Sequence, residues 1–414
     1  MSTAIPVASS SLRRTADDLF DDLLLPPEIV VLRTGVREFA ESVLAPRAVE
    51  LNTAEESKDV FPHDILRQMA AAGLYEIPYP ADVGGRGLAH PMLATATVLE
   101  ELAYYSPGVA SALYDGQAIL VGKTLEAAPA HIRNDLLPML VRGDIVGSFA
   151  TSEPAASTDL SAQAMKTTAR RVPGGFRLTG QKRWITNSCV ADIMTVLCVI
   201  DGEQAMLLVD MHSDGVHVGD PDRKMGNRLQ LTSDVYFDDV FVASDQVIAE
   251  PGAGLRAALA SLALGRIGIG AVGVGMAQRS FDLAVAHMRE RSAFGKKLAE
   301  FQHWQFRFAE HAIAIESARS LYQKAALKVD SGRVPEPEAS MSKVSGSRVP
   351  VDVTRDAIQV HGGYGFLREL SADGCAYPLE SIWRDCKIGE IYEGANEVQL
   401  WSIARSALGR DVTG

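Results

Sequence analysis

Residues 384–397 read Arg-Asp-Cys-Lys-Ile-Gly-Glu-Ile-Tyr-Glu-Gly-Ala-Asn-Glu, and the reading of Glu393 within them decides the rest. Glu393 stands between Tyr392 and Gly394, near the end of an apolar-periodic segment. An aromatic neighbour and a missing side chain let a flat ligand come close. Poor solvation there raises a carboxylate's pKa and with it its basicity. Alone, the segment reads as a solvated helix end. Three stretches upstream change that reading.

The first is Phe149-Ala150-Thr151-Ser152-Glu153-Pro154-Ala155-Ala156-Ser157-Thr158-Asp159. The second is Gly180-Gln181-Lys182-Arg183-Trp184-Ile185-Thr186-Asn187, and the third is Gln359-Val360-His361-Gly362-Gly363-Tyr364-Gly365. Each is short and weak alone; together and in order they carry weight. Between and around them the pattern changes twice. Residues 27–148 carry helical spacing (Val30, Leu32, Val36, Phe39, Val43, Leu44), broken by loops at Pro78-Tyr79-Pro80 and Val83-Gly84-Gly85-Arg86-Gly87. From Phe149 the chain turns to strands. Residues 167–186 alternate around Pro173-Gly174-Gly175, and 193–200, 205–210 and 235–242 are strand-length β-branched runs. This predicts a small antiparallel domain over 149–250. After the hinge Pro251-Gly252-Ala253-Gly254, helices are predicted over 255–291, 302–330 and 338–360. A further helix around and beyond Glu393 completes a bundle over 251–414. The order is α, β, α, preceded by an extension at 1–26 that reads as frayed and partly helical.

Gly268-Ile269-Gly270-Ala271-Val272-Gly273 matches the dinucleotide fingerprint letter for letter. That fingerprint needs a strand before it. Residues 255–264 are Ala/Leu-rich and helical, so these glycines are read as small residues that let bundle helices approach closely. Glu300-Phe301-Gln302-His303 gives one ExxH where a di-iron bundle needs two, and no HExxH occurs, so no metal is expected. His361 is the one histidine of interest, with a packed, backbone-bonded ring as its bland reading.

Composition sets the bounds. The chain has 414 residues, a size for two or three domains; 47% are hydrophobic and 22% charged, as in a globular protein with a large core. A net charge of −12 argues against nucleic acid or an anionic membrane as the main partner. Cys189, Cys198, Cys375 and Cys386 form no CxxC pair and read as buried thiols of a reducing compartment. No apolar run reaches the ~18 residues a membrane helix needs. Asp17, Asp18, Asp21 and Asp22 are unlike a signal or transit peptide, so the cytoplasm is expected.

The four stretches, in this order and spacing, resemble the acyl-CoA dehydrogenase flavoproteins, from about residue 27 to about residue 408. The resemblance implies FAD as cofactor and α,β-dehydrogenation of an acyl-CoA, with electrons passing to an electron-transfer flavoprotein. It implies a homotetramer, a dimer of dimers. Glu393 matches the base that takes the α proton. Its backbone N–H, with a ribityl hydroxyl, would hold the thioester oxygen. Thr158, Arg266, Tyr392, Gly394 and Tyr114 fall at substrate positions, Tyr114 on the segment that would floor the acyl pocket and favour compact acyl groups. Phe149, Thr151, Ser152, Ser157, Thr158, Trp184 and Thr186 fall along the flavin. Arg291, Phe294, Gln302, Gln359, Gly362 and Gly363 match positions that reach a neighbouring subunit's FAD; Ala395 and Glu397 close the cofactor set. Gly265 stands where some members carry the base instead, which leaves that role to Glu393. Departures are Ser157 for the usual glycine, Ala395 for the usual threonine, and about six extra residues within 369–376. The same fold would also admit an acyl-CoA oxidase, an acyl-carrier-protein dehydrogenase, or a partner subunit that binds FAD without dehydrogenating.

Overall fold

The computed structural model describes residues 12–19, 25–156 and 158–413. It is mixed α and β: an N-terminal helical domain, a middle β domain and a C-terminal helical bundle. Ser157 lies outside the described residues.

The bundle is built on one helix, Gly254–Glu290. It packs against Gln302–Asp330, Glu338–His361 and, from the N-terminal domain, Pro91–Ala103. The crossings are set by glycines. A Cβ added to Gly273 would land inside the Gly346 carbonyl oxygen, one on Gly270 inside the Ser342 hydroxyl, and one on Gly275 against the Glu100 carbonyl. The Gly268–Gly273 row is therefore helix-packing material, as its helical surroundings predicted. By length and composition Gly254–Glu290 would serve as a membrane span, which corrects the expectation that no apolar segment is long enough. Yet 72% of its most apolar window is buried inside the protein.

The middle domain is one eight-stranded sheet. Its strands are β1 (Gly147–Ala150), β2 (Thr168–Val172), β3 (Gly175–Thr186), β4 (Ile193–Ile200), β5 (Glu203–Asp210), β6 (Val216–Val218), β7 (Thr232–Ala243) and β8 (Val247–Ala249). The order is β6-β7-β3-β2-β4-β5-β8, with β1 beside β4. β4 is buried along its whole length, which explains its unbroken apolar run. The sheet is not purely antiparallel, as the strand patterns had suggested: β1 and β2 both pair parallel to β4. Short strands of four and five residues carry no sequence signal for direction.

β3 is long and irregular. Its pairing with β7 shifts between Lys182 and Ile185, and Trp184 inside the shift takes φ +58°. Just before the kink, Lys182 turns fully inward. Its Nζ donates to Glu153 Oε1 at 2.9 Å and to the Thr151 carbonyl at 3.0 Å. Glu153 also accepts the backbone N–H groups of Lys166 and Thr167. This buried pair ties the loop after β1 to β3.

The N-terminal segment corrects the frayed reading. Within 12–19 the chain is docked: Arg14 is buried, donates to Glu101 at 2.6 Å and lies 3.8 Å over the Tyr104 ring. Thr15 N–H donates to Asp282 at 3.1 Å. Arginine here acts as a buried ion-pair partner, which its polar sequence context concealed.

Three substitutions test this packing by thermal or denaturant unfolding. Gly273→Ala should destabilise by about 1–3 kcal/mol or more, because the helices must move apart. Gly35→Ala, on an exposed helix face with nothing within 4 Å of the new methyl, should instead stabilise by about 0.5–1 kcal/mol. Lys182→Met leaves the Glu153 carboxylate buried without its cation and should cost about 3–5 kcal/mol. A neutral result would show that the pair does not hold the loop.

Candidate active site

Glu393 lies outside regular structure, between a short 3₁₀ turn (Lys387–Glu390) and the helix Asn396–Leu408. Its φ is +56°, and Gly394 follows at +89°. A left-handed backbone is costly for a glutamate. It is held from both sides: Arg266 Nε donates to the Glu393 carbonyl at 3.1 Å, and Gln399 Nε2 donates to the Gly394 carbonyl at 3.2 Å. Gly394 must stay bare, since a Cβ there would meet Gln399.

This turn aims the carboxyl at the long helix. A Cβ on Gly265 would coincide with Glu393 Oε2, so the glycine leaves the space the carboxyl fills. One turn on, a Cβ on Gly268 would coincide with Asp115 Oδ1, beside Leu99 and Ile119. Glu393 as a residue is only half-buried, but its Oε2 is closed off and has no hydrogen-bond partner, and the same holds for Asp115 Oδ1. Burial pushes the Glu393 carboxyl up to about 7, against Asp115, Arg266 and Lys343, which pull it down. Burial, reinforced by the Glu393 charge, holds the Asp115 carboxyl well above the usual carboxylate range. Tyr392 is also pushed up, by burial first and then by these two acids. On the far side Lys343 is fully buried, and its Nζ donates to Asn396 Oδ1 at 2.9 Å; burial pushes it down to about 8.

The sheet presents its own cluster to this region. Ser148 Oγ donates to the Thr186 carbonyl at 2.6 Å, and the Thr186 hydroxyl accepts from Gln230 Nε2 at 3.0 Å. The Ser152 carbonyl accepts the Arg183 N–H at 3.0 Å, beside buried Thr151. Phe149 is half-buried on β1, and Trp184 is 59% exposed at the kink of β3. Two contacts tie this cluster to the 109–121 helix that carries Asp115. Asn187 Nδ2 donates to the Ala112 carbonyl at 2.9 Å, and Gln117 exchanges two hydrogen bonds with Gly147. A third tie reaches the Glu393 segment: Asn227 N–H donates to Asp385 Oδ1 at 2.6 Å.

Of the residues singled out in the sequence, Glu393, Arg266, Tyr392 and Gly394 come together. Ala395 and Glu397 follow directly, Glu397 on an exposed helix start. Thr158 is exposed in the loop after β1. Tyr114 departs from its expected place. Its ring is fully buried, stacked on Tyr75 at 5.9 Å, with its hydroxyl donating to the Leu74 carbonyl at 3.1 Å. It belongs to the core, and the neighbouring Asp115 faces Glu393 in its stead. The physical reason is winding. Val109–Val121 is a π-helix, whose wider turn changes which side chains share a face. Asp115, missed in the sequence, had a signal: it is the one charged residue in a mostly apolar thirteen-residue run.

A second cluster lies elsewhere. Arg291 caps the far end of the long helix, about 37 Å from Arg266 at ~1.5 Å per residue. With Gly362 and Gly363 it lines a cavity of about 590 Å³. Phe294 (97% exposed), Gln302 and Gln359 lie on the surface nearby in sequence. His361 follows its bland reading: Nδ1 bonds the Ala357 carbonyl at 2.8 Å, the ring stacks on His287, and burial pushes it down to about 4.

Comparison with known proteins matches three family models in succession along the chain. The acyl-CoA dehydrogenase N-terminal, middle and C-terminal domain families match residues 26–144, 148–240 and 252–408. The chain is 33% identical to the mitochondrial short-chain specific acyl-CoA dehydrogenase of Mus musculus, over 94% of this chain and 92% of that protein. It is 31% identical to butyryl-CoA dehydrogenase from Megasphaera elsdenii, with a TM-score of 0.86 over 93% of this chain and 99% of that one. A chain from structural work on the electron transferring flavoprotein of Acidaminococcus fermentans is equally similar, at 31% identity and a TM-score of 0.86 over 94% and 100%. A buried carboxyl set against a glycine of the long helix, a hydroxyl cluster at the end of β3 tied to the helix that carries Asp115, and similarity over 94% of the chain lead to one conclusion: this chain is a member of the acyl-CoA dehydrogenase family.

Proposed function

We propose that this enzyme dehydrogenates a short acyl-CoA to its trans-2-enoyl-CoA, with Glu393 as the α-proton base and an electron-transfer flavoprotein as electron acceptor. The observation that carries the reading is Glu393 Oε2: a buried acceptor without a donor, aimed into the gap left by Gly265.

The residues present fit a flavin. Trp184 offers an exposed ring on a kinked strand, and Thr186 and Ser152 offer hydroxyls at adjoining strand ends. When bound, FAD supplies the hydride acceptor at its flavin N5. Thr186, Trp184, Ser152 and Thr151 would hold the ring. Glu393 takes the α proton at its carboxyl. With a pKa near 7 it is basic enough to compete for that proton and ionised often enough to act at neutral pH. The Glu393 N–H bonds no acceptor among the described residues, which suits it to hold the thioester oxygen as charge builds there. Arg266, fixed on the Glu393 carbonyl, keeps that N–H in place. A compact acyl group is in keeping with the short-chain relatives.

The distance between Arg266 and Arg291 supports shared sites. Two arginines about 37 Å apart, one on the long helix and one just past its end, do not serve the same flavin from the same chain. Arg291 and the Gly362-Gly363 turn would hold a neighbouring subunit's cofactor, as in a homotetramer.

Glu393→Gln should keep FAD and lose ~10²–10⁴-fold in the rate of anaerobic flavin bleaching by a short acyl-CoA. A carboxylate supplied instead by Gly265→Glu needs residue 393 trimmed as well, because a side chain at 265 needs the space residue 393 fills. Glu393→Gly combined with Gly265→Glu should restore part of the rate. Bleaching by Glu393→Gln at near wild-type speed would remove Glu393 as base. Arg291→Ala should weaken FAD retention and assembly together, read as flavin absorbance and elution volume in gel filtration. Loss of neither would remove Arg291 from the cofactor site.

A further inference from the structure

Glu393 is not the only carboxyl at the gap. Asp115 comes from a different element, the 109–121 π-helix, and reaches the same stripe of the long helix one turn away, over Gly268. The two carboxyls fill the adjoining notches at Gly265 and Gly268, and each acts on the other. Each presents a buried oxygen with no partner, Asp115 Oδ1 and Glu393 Oε2. Two ionised carboxylates are acceptors only and cannot satisfy each other. They would also set two like charges together in a place water does not reach. A single proton between them removes both costs.

We propose that Asp115 is the positioning partner of Glu393: the pair shares one proton, which Asp115 carries and donates as a hydrogen bond to the Glu393 carboxylate. The proposal rests on the reading of Glu393 as base. Before reaction the pair holds one proton and one negative charge. When Glu393 takes the α proton, the pair holds two protons and is neutral. Asp115 stays protonated throughout and touches no reacting atom.

The surroundings favour this assignment. Arg266 from the long helix and Lys343 from the 338–361 helix are the cations that act on Glu393. Neither acts on Asp115, whose charged neighbour is Glu393 itself, with Leu99 and Ile119 around it. Tyr392 lies beside both acids and stays protonated. The negative charge therefore settles on the member that faces the cations. Asp115, on the apolar side, keeps the proton. A hydrogen bond donated to a carboxylate stabilises its ionised form. Asp115 thus keeps Glu393 available as a base in a site whose burial would otherwise protonate it.

The test compares two near-isosteric variants in the holoenzyme, each read as the pH profile of anaerobic flavin bleaching by butyryl-CoA. Asp115→Asn retains a donor and should keep the acid limb at its wild-type position. Asp115→Leu fills the same space without a donor and should move the acid limb up by about one pH unit. An unmoved limb in Asp115→Leu, or an equal shift in both variants, overturns the proposal. Either result leaves Glu393 as base untouched, since that reading stands or falls with Glu393→Gln. A second readout does not need turnover. The infrared difference spectrum of resting wild type minus Asp115→Asn at neutral pH should contain the carbonyl stretch of a protonated carboxyl. Carboxylate bands in its place overturn the proposal, even if Asp115→Leu does not fold.

Discussion

Along Gly254–Glu290, five glycines on one helix are each replaced in space by something from another element. The Glu393 carboxyl fills the room at Gly265, Asp115 that at Gly268, the Ser342 hydroxyl that at Gly270, the Gly346 backbone that at Gly273 and the Glu100 backbone that at Gly275. Glycine in a helix interior costs about 1 kcal/mol relative to alanine. Here that cost is offset by helix backbones packing at near contact and by their apolar burial. The same row sets both the bundle's geometry and the site's. Toward Gly275 it seats helices, and toward Gly265 it seats carboxyls. A helix with ordinary side chains in this row would hold its neighbours too far off for either.

The chemistry follows from what closes over that gap. A carboxyl sealed from water is a stronger base than a solvated one, but too strong a desolvation leaves it protonated and idle. The structure balances the two. Burial raises Glu393, while Arg266, buried Lys343 and Asp115 restrain it. The left-handed backbone at Glu393 is part of the same design. Strain there is held by Arg266 and Gln399 on consecutive carbonyls, so the side chain has one place to go. The β domain is bound to this arrangement through Asn187, Gln117 and Asn227, so the end of β3 and the Glu393 segment keep a fixed relation.

Much of this was legible in the chain. Long periodic segments with clear breakers gave the bundle helices nearly to the residue: 302–330 was read as it stands, and 338–360 ends one residue short of His361. Strands with a turn signal or a β-branched run were equally plain. The rest was hidden for definable reasons. Strands β6 and β8 have three residues each, too few for a period. Strand direction depends on long-range pairing that alternation does not encode. Arg14 looks like a solvated tail residue until Glu101, 87 positions away, is placed against it. Asp115 is hidden for a related reason: no residue in 109–121 announces π-winding, so nothing in the sequence places its carboxyl against Glu393.

With Glu393 as the proposed base, proton removal by a carboxyl titrating near neutrality gates flavin reduction. The most direct measurement is anaerobic stopped-flow bleaching with butyryl-CoA bearing protium or deuterium at C2, followed across pH. The rate should rise with pH through about 7, because Glu393 can act as a base only above its raised pKa, and deuterium should slow it clearly at every pH. A rate flat across neutral pH, or one insensitive to deuterium at C2, would contradict it.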